Sequence, residues 1–374
     1  RHAPLWLCLG MVGRGGSSVI ANTIYRVIQR ADELSEIVAL YWKDGKKPLS
    51  AQLKKGLAQA FTKFNEYQLA KYDRAGAVRL RDVMFLTHPK PTVQTDLWSR
   101  LANEQLATPD TWEVGLSTGG TKKDTFERLL EEGKLGQMAL IRNLRNMHGA
   151  KVDTKLVFSA LRDGAGKAKV LPFRYVSAAE HVPAWEPAIE EAMMLSLGQM
   201  AKLPGRTAVV VDVSGSMYQE TVSGRSKINR AKVAATLGAM AREVCEEPLI
   251  YATAGNDHTM VHQTKLVPAR RGFALIDAIY GLCRPLGGGG IFLAQVMDYI
   301  HEQEGSVDRV IVITDEQDTD QRRDPTMARL IGDNNYLINV ASYKNGIGYK
   351  KWTHIDGWSE AVIDYIRASE TVSQ

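Results

Sequence analysis

Residues 207–216 read Thr-Ala-Val-Val-Val-Asp-Val-Ser-Gly-Ser, and this stretch decides the fold of the second half of the chain. Its valine run is typical of a strand that is buried on both faces of a parallel sheet. A Gly and Ser turn follows, and then a long helical segment at about residues 226–246. Further strands and helices are predicted to alternate at residues 249–253, 273–282, 291–303, 307–314 and 336–341. This alternation predicts a doubly wound α/β domain over residues 205–374.

The first half has a different periodicity. After Ser50, a candidate N-cap, apolar residues recur at the spacing of one helical face, at Leu53, Leu57, Ala60, Phe61 and Phe64. Similar amphipathic runs occur at about residues 19–31, 78–86, 125–132, 135–147 and 185–202. Helix pairs in series predict an α-solenoid over residues 1–204, which ends at the Pro-Gly-Arg sequence of residues 204–206.

Charge is distributed unevenly between these two halves. The 374 residues contain 47 Lys and Arg against 42 Asp and Glu, a net charge of +5. Residues 1–206 hold 30 of the basic and 21 of the acidic side chains, so the first half is basic and the second mildly acidic. A polyanionic partner is therefore expected for the first half. The 44% of hydrophobic residues excludes disordered and low-complexity classes.

The cellular compartment is predicted from what the sequence contains. Its three cysteines include no CxxC pair, which favours a reducing, cytoplasmic location. No stretch approaches the roughly 18 apolar residues of a membrane span, and no signal peptide is visible. The chain begins at Arg1 without methionine, immediately before an apolar helical segment, so we expect a fragment or a processed chain whose first domain is N-terminally incomplete.

A DxSxS motif follows the valine-rich strand. Asp212, Ser214 and Ser216 offer one carboxylate and two hydroxyls, and Asp315 after the later strand can add a second carboxylate. These hard oxygen donors suit a magnesium ion. The alternative is that the loop only caps the next helix through its own hydrogen bonds. No GxSxG, HExxH or phosphate-loop motif indicates an enzyme.

Basic residues cluster around one predicted helix of the first half. They are Lys71, Arg74, Arg79, Arg81 and Lys90, and Tyr72 and His88 lie among them. Lysine and arginine neutralise phosphates, while tyrosine and histidine can stack on unpaired bases. A solvated helix face would explain the same run of charges.

The sequence resembles the TROVE module of the Ro ribonucleoprotein autoantigen family at residues 47–57, 81–91, 125–130, 139–147 and 171–175. Residues 207–368 resemble a von Willebrand factor A domain, with a DxSxS motif like that of its metal-ion-dependent adhesion site. The Ro family has these two domains in this order. The resemblance implies a ring of HEAT-like repeats with a basic central hole, closed by the A-like domain.

The resemblance also implies ligands and contact residues. Family members bind small noncoding Y RNAs on the outer surface of the ring and take single-stranded ends of misfolded RNAs through the hole. The family's RNA contacts match Lys71, Arg74 and His88. Arg142 and Arg145, with His148, are further candidates from their chemistry alone.

One metal ligand of the A-like domain is missing. The family site includes a threonine from a Gly-Gly-Thr loop, but residues 287–290 of this chain are four glycines. We therefore expect a divalent cation, Mg²⁺ by its donor set, to bind weakly or not at all.

Together these features predict a non-enzymatic RNA-binding scaffold or chaperone for noncoding RNA quality control. It would be the monomeric protein component of a cytoplasmic ribonucleoprotein. If the source is bacterial, the family suggests an exoribonuclease partner such as polynucleotide phosphorylase. One alternative is a protein-interaction module that captures acidic side chains through its metal, and another is a metal-dependent phosphodiesterase acting on RNA.

Overall fold

The computed structural model describes residues 3–13, 17–90, 94–117, 119–167, 170–221, 228–320, 328–341, 351–357 and 361–373. The chain divides into two compact units, Arg1–Thr121 and Lys122–Gln374. Helices come first and a mixed six-stranded sheet follows, which confirms the predicted order of a helical half and an α/β half. The helices from Lys122 onward belong to the same unit as the sheet. The domain limits 1–204 and 205–374 stay a prediction.

The described part of the first unit is helical. Its α-helices are α1 (Ala3–Val12), α2 (Ser18–Val27), α3 (Ala31–Tyr41), α4 (Ala51–Ala60), α5 (Glu66–Tyr72), α6 (Leu80–Thr87), α7 (Thr95–Ala102) and α8 (Trp112–Ser117). The predicted cap of α4 is confirmed, because the Ser50 hydroxyl accepts a 3.2 Å hydrogen bond from the Leu53 N–H. A side-chain acceptor at this position satisfies an N–H group that has no partner within the helix.

The apolar faces of these helices share one core. Ile24, Leu34, Leu53 and Phe61 are completely buried within it. Helices α2 and α4 approach closely at Gly56, where an added Cβ would lie 2.7 Å from the Ala21 carbonyl oxygen. A larger residue at position 56 would therefore push the two helices apart.

The second unit begins with five helices. These are α9 (Lys122–Glu131), α10 (Gln137–Gly149), α11 (Thr154–Ala165), α12 (Pro172–His181) and α13 (Glu186–Gly198). Helices α12 and α13 pack on α15 (Arg230–Val244), one of the helices that flank the sheet. The Glu190 carboxylate accepts a 2.6 Å hydrogen bond from the Phe273 N–H. The helices and the sheet therefore share contacts within this unit.

The sheet contains β1 (Leu203–Asp212), β2 (Cys245–Asn256), β3 (Val261–Leu266), β4 (Val307–Thr314), β5 (Gly332–Asn339) and β6 (Thr353–Asp356). Their order is β3-β2-β1-β4-β5-β6, and only the β2–β3 pair is antiparallel. The remaining described helices are α14 (Gly215–Gln219), α16 (Gly272–Tyr280), α17 (Leu293–Glu304) and α18 (Ala361–Ser373).

The sequence missed the two edge strands, β3 and β6. Neither has a run of buried residues, because each pairs with a single neighbour and faces solvent on several sides. The central strands β1 and β4 have the valine and isoleucine runs that were recognised. Among the described residues, no helix has the length and apolar character required to cross a membrane.

Candidate nucleic-acid interface and cation site

The predicted basic cluster of the first unit begins at the end of α5. Lys71 lies in the last turn, with its ammonium group 5.6 Å from the Tyr67 ring centroid and 5.9 Å from that of Tyr72. Arg74 follows the helix and is exposed. Cation and aromatic faces are thus adjacent at this end of the helix.

Two arginines of the cluster, Arg79 and Arg81, already form ion pairs with carboxylates of the protein. The Arg79 guanidinium lies 3.4 Å from Asp73 and forms an ion pair with Glu104. Arg81 reaches the same Glu104 carboxylate at 2.9 Å, and this hydrogen bond is the main cause that lowers the pKa of Glu104. Much of the charge of Arg79 and Arg81 is therefore already balanced within the protein.

His88 has an unusual backbone conformation at the end of α6. Its φ of 47° and ψ of 58° place it in the left-handed region, where its N–H donates a 2.9 Å hydrogen bond to the Met84 carbonyl. Glycine is the common residue for such a helix end, because a Cβ is strained there. The exposed imidazole and the exposed side chain of Lys90 both lie beyond this turn.

Arg142 and Arg145 lie in the second unit, on exposed positions of α10. They are thus in a different unit from Lys71, Arg74 and His88. The third candidate of this helix, His148, has its ring packed edge-on against Trp185, with centroids 5.1 Å apart. Sequence reasoning missed Arg174 and His181 of α12, although their i, i+7 spacing puts them on one helical face.

Asp212 lies at the carboxyl end of β1 and is completely buried. Its Oδ1 accepts a 2.8 Å hydrogen bond from the Ser214 N–H, and its Oδ2 accepts a 2.6 Å bond from the Thr314 hydroxyl. The Ser214 and Ser216 hydroxyl oxygens lie 3.3 Å apart, so the motif oxygens converge. Burial and the negative charge of Asp315 raise the pKa of Asp212 to about 7. A positive charge at this site would stabilise the ionised carboxylates.

Such a charge is already present beside Asp315. Its Oδ2 lies 3.2 Å from the guanidinium of Arg230, which is only 7% exposed and begins helix α15. Its Oδ1 accepts a 3.2 Å hydrogen bond from the Gln317 N–H. Arg230 therefore balances part of the negative charge that would attract a metal ion.

Residues 287–290 lie beside the DxSxS loop, and position 290 has no room for a side chain. The Gly215 N–H donates a 3.0 Å hydrogen bond to the Gly289 carbonyl. An added Cβ on Gly290 would lie 2.3 Å from Cγ2 and 2.4 Å from Oγ1 of Thr319. The Thr319 side chain thus fills the space into which a side chain at position 290 would project.

The donor set fits a hydrated divalent cation in part. Asp212, Ser214 and Ser216 provide converging hard oxygen donors of the kind that Mg²⁺ prefers. Position 290 offers no hydroxyl, and Arg230 competes for Asp315. In the part of the chain that the structure describes, no group of three or more His, Cys, Asp or Glu residues could hold a metal ion. Any cation at this site would depend on the serines, the two carboxylates and water.

Comparisons with known proteins connect this architecture to a family. The TROVE domain family model matches residues 98–263, which include α10, α12 and the DxSxS loop and exclude residues 71–90. Telomerase protein component 1 of Mus musculus is 22% identical over 166 residues, covering 43% of this chain and 6% of the relative. This chain therefore spans only a small part of the length of that relative.

A solved structure matches most of the chain. The crystal structure of the Deinococcus radiodurans RO (RSR) protein has a TM-score of 0.67 over 94% of this chain and 82% of that chain, at 17% sequence identity. At this identity the likeness shows the fold. The TROVE match and the Ro-like fold confirm the resemblance found in the sequence: residues 98–263 match the TROVE domain family, and the chain is similar in fold to a Ro protein.

Proposed function

We propose that the protein is an RNA-binding scaffold or chaperone that acts without catalytic turnover. The match to the TROVE domain family and the likeness in fold to a Ro protein support an RNA-binding, non-enzymatic role. The observation that carries the proposal is a set of basic side chains without carboxylate partners. Among the ion pairs of the described residues, none involves Lys71, Arg74 or Lys90.

The surroundings of these cations favour RNA with unpaired segments. The rings of Tyr67 and Phe85 are 41% and 50% exposed, and His88 is exposed as well. Exposed aromatic faces beside cations suit stacking of unpaired bases together with neutralisation of phosphates. The ligands proposed are small noncoding RNAs of the Y RNA type and misfolded RNAs with single-stranded ends. The proposed setting is cytoplasmic RNA quality control, with an exoribonuclease as a partner.

The finer architecture belongs to the same proposal. The serial helices would form HEAT-like repeats, and the sheet with its helices would form a von Willebrand factor A domain. A six-stranded sheet with a single antiparallel edge, and a DxSxS loop after its first strand, support the second assignment. Such a domain would present the DxSxS loop as a docking surface at the carboxyl ends of its strands.

RNA binding can be tested with a Lys71→Ala and Arg74→Ala double variant. A small structured RNA with a single-stranded end would be titrated by fluorescence anisotropy at several salt concentrations. Loss of two phosphate contacts should reduce the slope of log affinity against log salt by about 1.4 and lower affinity at least tenfold near 0.1 M salt, because each contact on a single strand releases about 0.7 counterions. His88→Ala should weaken binding without changing that slope.

The matched control is Lys55→Ala, which removes an exposed lysine of α4 in the same unit. It should bind RNA nearly as tightly as the parent. A flat salt dependence of the parent would contradict the proposed function. Unchanged binding by both the double variant and His88→Ala would contradict the assignment of this surface.

The cation is a separate proposal. Asp212, Ser214 and Ser216 would hold a hydrated Mg²⁺, with Asp315 acting directly or through water, at a dissociation constant on the order of millimolar. Isothermal titration should detect binding that Asp212→Asn abolishes. Arg230→Gln, which keeps a hydrogen-bond donor near Asp315 but removes the charge, should tighten binding. Equal heats from the parent and Asp212→Asn would overturn the proposal.

A further inference from the structure

A groove lies between helices α10 and α12 of the second unit. Its volume is about 310 Å³, and its polar lining residues are Arg142, Arg145, Arg174, Ser177 and His181. None of these residues belongs to the DxSxS site. The groove combines residues from two helices that are about 30 residues apart in the sequence.

The helical spacing explains why these side chains meet. Arg142 and Arg145 are an i, i+3 pair, and Arg174, Ser177 and His181 follow at i, i+3 and i+7 on the facing helix. Residues at these spacings lie on one face of a helix, with Cβ atoms of neighbours roughly 5–6 Å apart. Three guanidinium groups and one imidazole are therefore presented to a single groove.

The positive charge of the groove has no carboxylate counterpart among the residues that the structure describes. No carboxylate is among the described residues that line it, and α10 contains no Asp or Glu. Glu180 of α12 lines a different cavity, together with Lys232. The ion pairs of the described residues include none with the three groove arginines.

An arginine on the neighbouring helix behaves differently. Arg162 of α11 forms a two-point hydrogen-bonded ion pair with Glu191, at 2.9 and 3.1 Å. Three like charges in one groove repel each other, and an anionic ligand would relieve this repulsion. Where several arginines meet and the described lining residues include no carboxylate, the charge points to an anionic ligand.

The groove is also partly organised before any ligand binds. Ile141 and Leu144 are buried at its base, so the arginine-bearing face of α10 is held by the core. The Arg174 guanidinium lies 4.7 Å from the Phe173 ring centroid, which restricts its motion. His181 Nδ1 lies 2.7 Å from the Ser177 carbonyl oxygen. Because a carbonyl only accepts, Nδ1 carries the proton, and Nε2 can donate to an anion only when the ring is in its imidazolium form.

We infer that this groove binds the phosphate backbone of RNA without regard to base sequence. Arginine presents a planar fork of donors that matches phosphate oxygens, and the Ser177 hydroxyl adds another donor. His181 is the only ring among the described lining residues, so the groove lacks the stacking faces that accompany Lys71. This inference rests on the proposed RNA-binding function and assigns it a second contact surface with a different role.

The test is an Arg142→Gln, Arg145→Gln and Arg174→Gln triple variant of the full chain. Loss of three phosphate contacts should lower the slope of log affinity against log salt by about 2 and weaken binding at least 30-fold near 0.1 M salt. The loss should be similar for poly(U) and for a mixed-sequence RNA. Arg162→Gln is the matched control, because it removes a paired arginine of the same unit, and it should leave the slope unchanged.

Thermal unfolding of the triple variant should match that of the parent, which excludes loss of fold as the cause. If the parent binds RNA and the triple variant keeps its slope, the groove assignment is wrong while the proposed function stands. If the parent does not bind RNA at all, both are wrong. Saturation by inorganic phosphate without any loss of RNA affinity in the triple variant would restrict the groove to small anions. Equal competition by polyglutamate of matched charge would assign it to acidic protein segments.

Discussion

The arginines of two regions, Arg79 and Arg81 at the start of α6 and Arg142 and Arg145 on α10, were candidates for RNA contacts in the sequence. In the structure they differ in their counterions. Arg79 and Arg81 share the Glu104 carboxylate, whereas the described residues offer no carboxylate to the pair on α10. A paired arginine must give up its internal partner before it can neutralise a phosphate. An unpaired arginine loses only water.

This difference separates structural cations from ligand-binding cations in one chain. Arg309 is the extreme structural case, because it is 2% exposed and its guanidinium contacts three separate groups. The arginines of the groove between α10 and α12 are the opposite case, because they are exposed and no carboxylate is among the described residues around them. Whether an arginine has a carboxylate partner is therefore a more useful guide to its function here than its residue type alone.

The largest change in the free energy of unfolding is expected when a buried arginine that is hydrogen-bonded and ion-paired is removed. Arg309 forms a bidentate ion pair with Glu370, at 2.6 Å for one of its two bonds, and donates a 2.8 Å bond to the Thr207 hydroxyl. Arg309→Met should lower the free energy of unfolding by about 3–5 kcal/mol, because the Glu370 carboxylate, only 13% exposed, would lose its charged partner and keep only the Tyr336 hydroxyl. Urea denaturation measures the change.

The control for that experiment is an exposed ion pair. Arg329 lies 3.3 Å from Asp298, with half of its side chain in solvent. Arg329→Met should change the free energy of unfolding by less than about 1 kcal/mol. Similar losses of unfolding free energy in both variants would show that burial and ion pairing do not decide how much an arginine stabilises this protein.

The second-largest effect concerns Asp212, a buried carboxylate whose negative charge is only partly balanced by its neighbours. The pKa of Asp212 is raised from its usual value of 3.8 to about 7, by burial first and by Asp315 second. The folded state therefore binds a proton more tightly than the unfolded state. This contribution stabilises the fold at low pH and is lost as pH rises from about 4 to 7, by roughly 4 kcal/mol if the whole shift is expressed.

Asp212→Asn should remove that dependence, because the amide stays neutral. Thermal unfolding in the presence of a chelator should show that the stability advantage of the variant over the parent grows from pH 5 to pH 8. Ser216→Ala is the control, since it alters the same loop without removing a charge. A parent and an Asp212→Asn variant with parallel pH profiles would contradict the assigned pKa of the carboxyl group.

The smallest effect should come from removing one carboxylate partner, which leaves Arg81 without its ion pair and leaves Arg79 with Asp73 alone. Glu104→Gln removes the carboxylate shared by Arg79 and Arg81 while keeping the size of the side chain. We expect RNA affinity to rise roughly threefold to tenfold at low salt and the salt slope to steepen by about 1. Glu36→Gln serves as the control for loss of a negative charge elsewhere in the first unit. Unchanged affinity would mean that these two arginines do not reach the ligand.

Parts of the candidate sites were predictable because their signals are local. Asp212 and Ser214 follow a recognisable buried strand, so their place at the end of β1 was expected. The role of Thr319 was not predictable, because it meets Gly290 through the packing of two loops that are far apart in the sequence. Arg230 was missed for the same reason, since Asp315 lies 85 residues away.

The sequence by itself determined the order of a helical half and an α/β half, the DxSxS motif and the basic character of the first half. These follow from side-chain periodicity and composition, which act over a few neighbouring residues. Only the tertiary structure decided which charges are balanced. Glu104 lies 25 residues from Arg79, and the groove joins Arg142 to Arg174 across two helices. An ion pair or a groove depends on distances between side chains, and only the packing of the helices determines those distances.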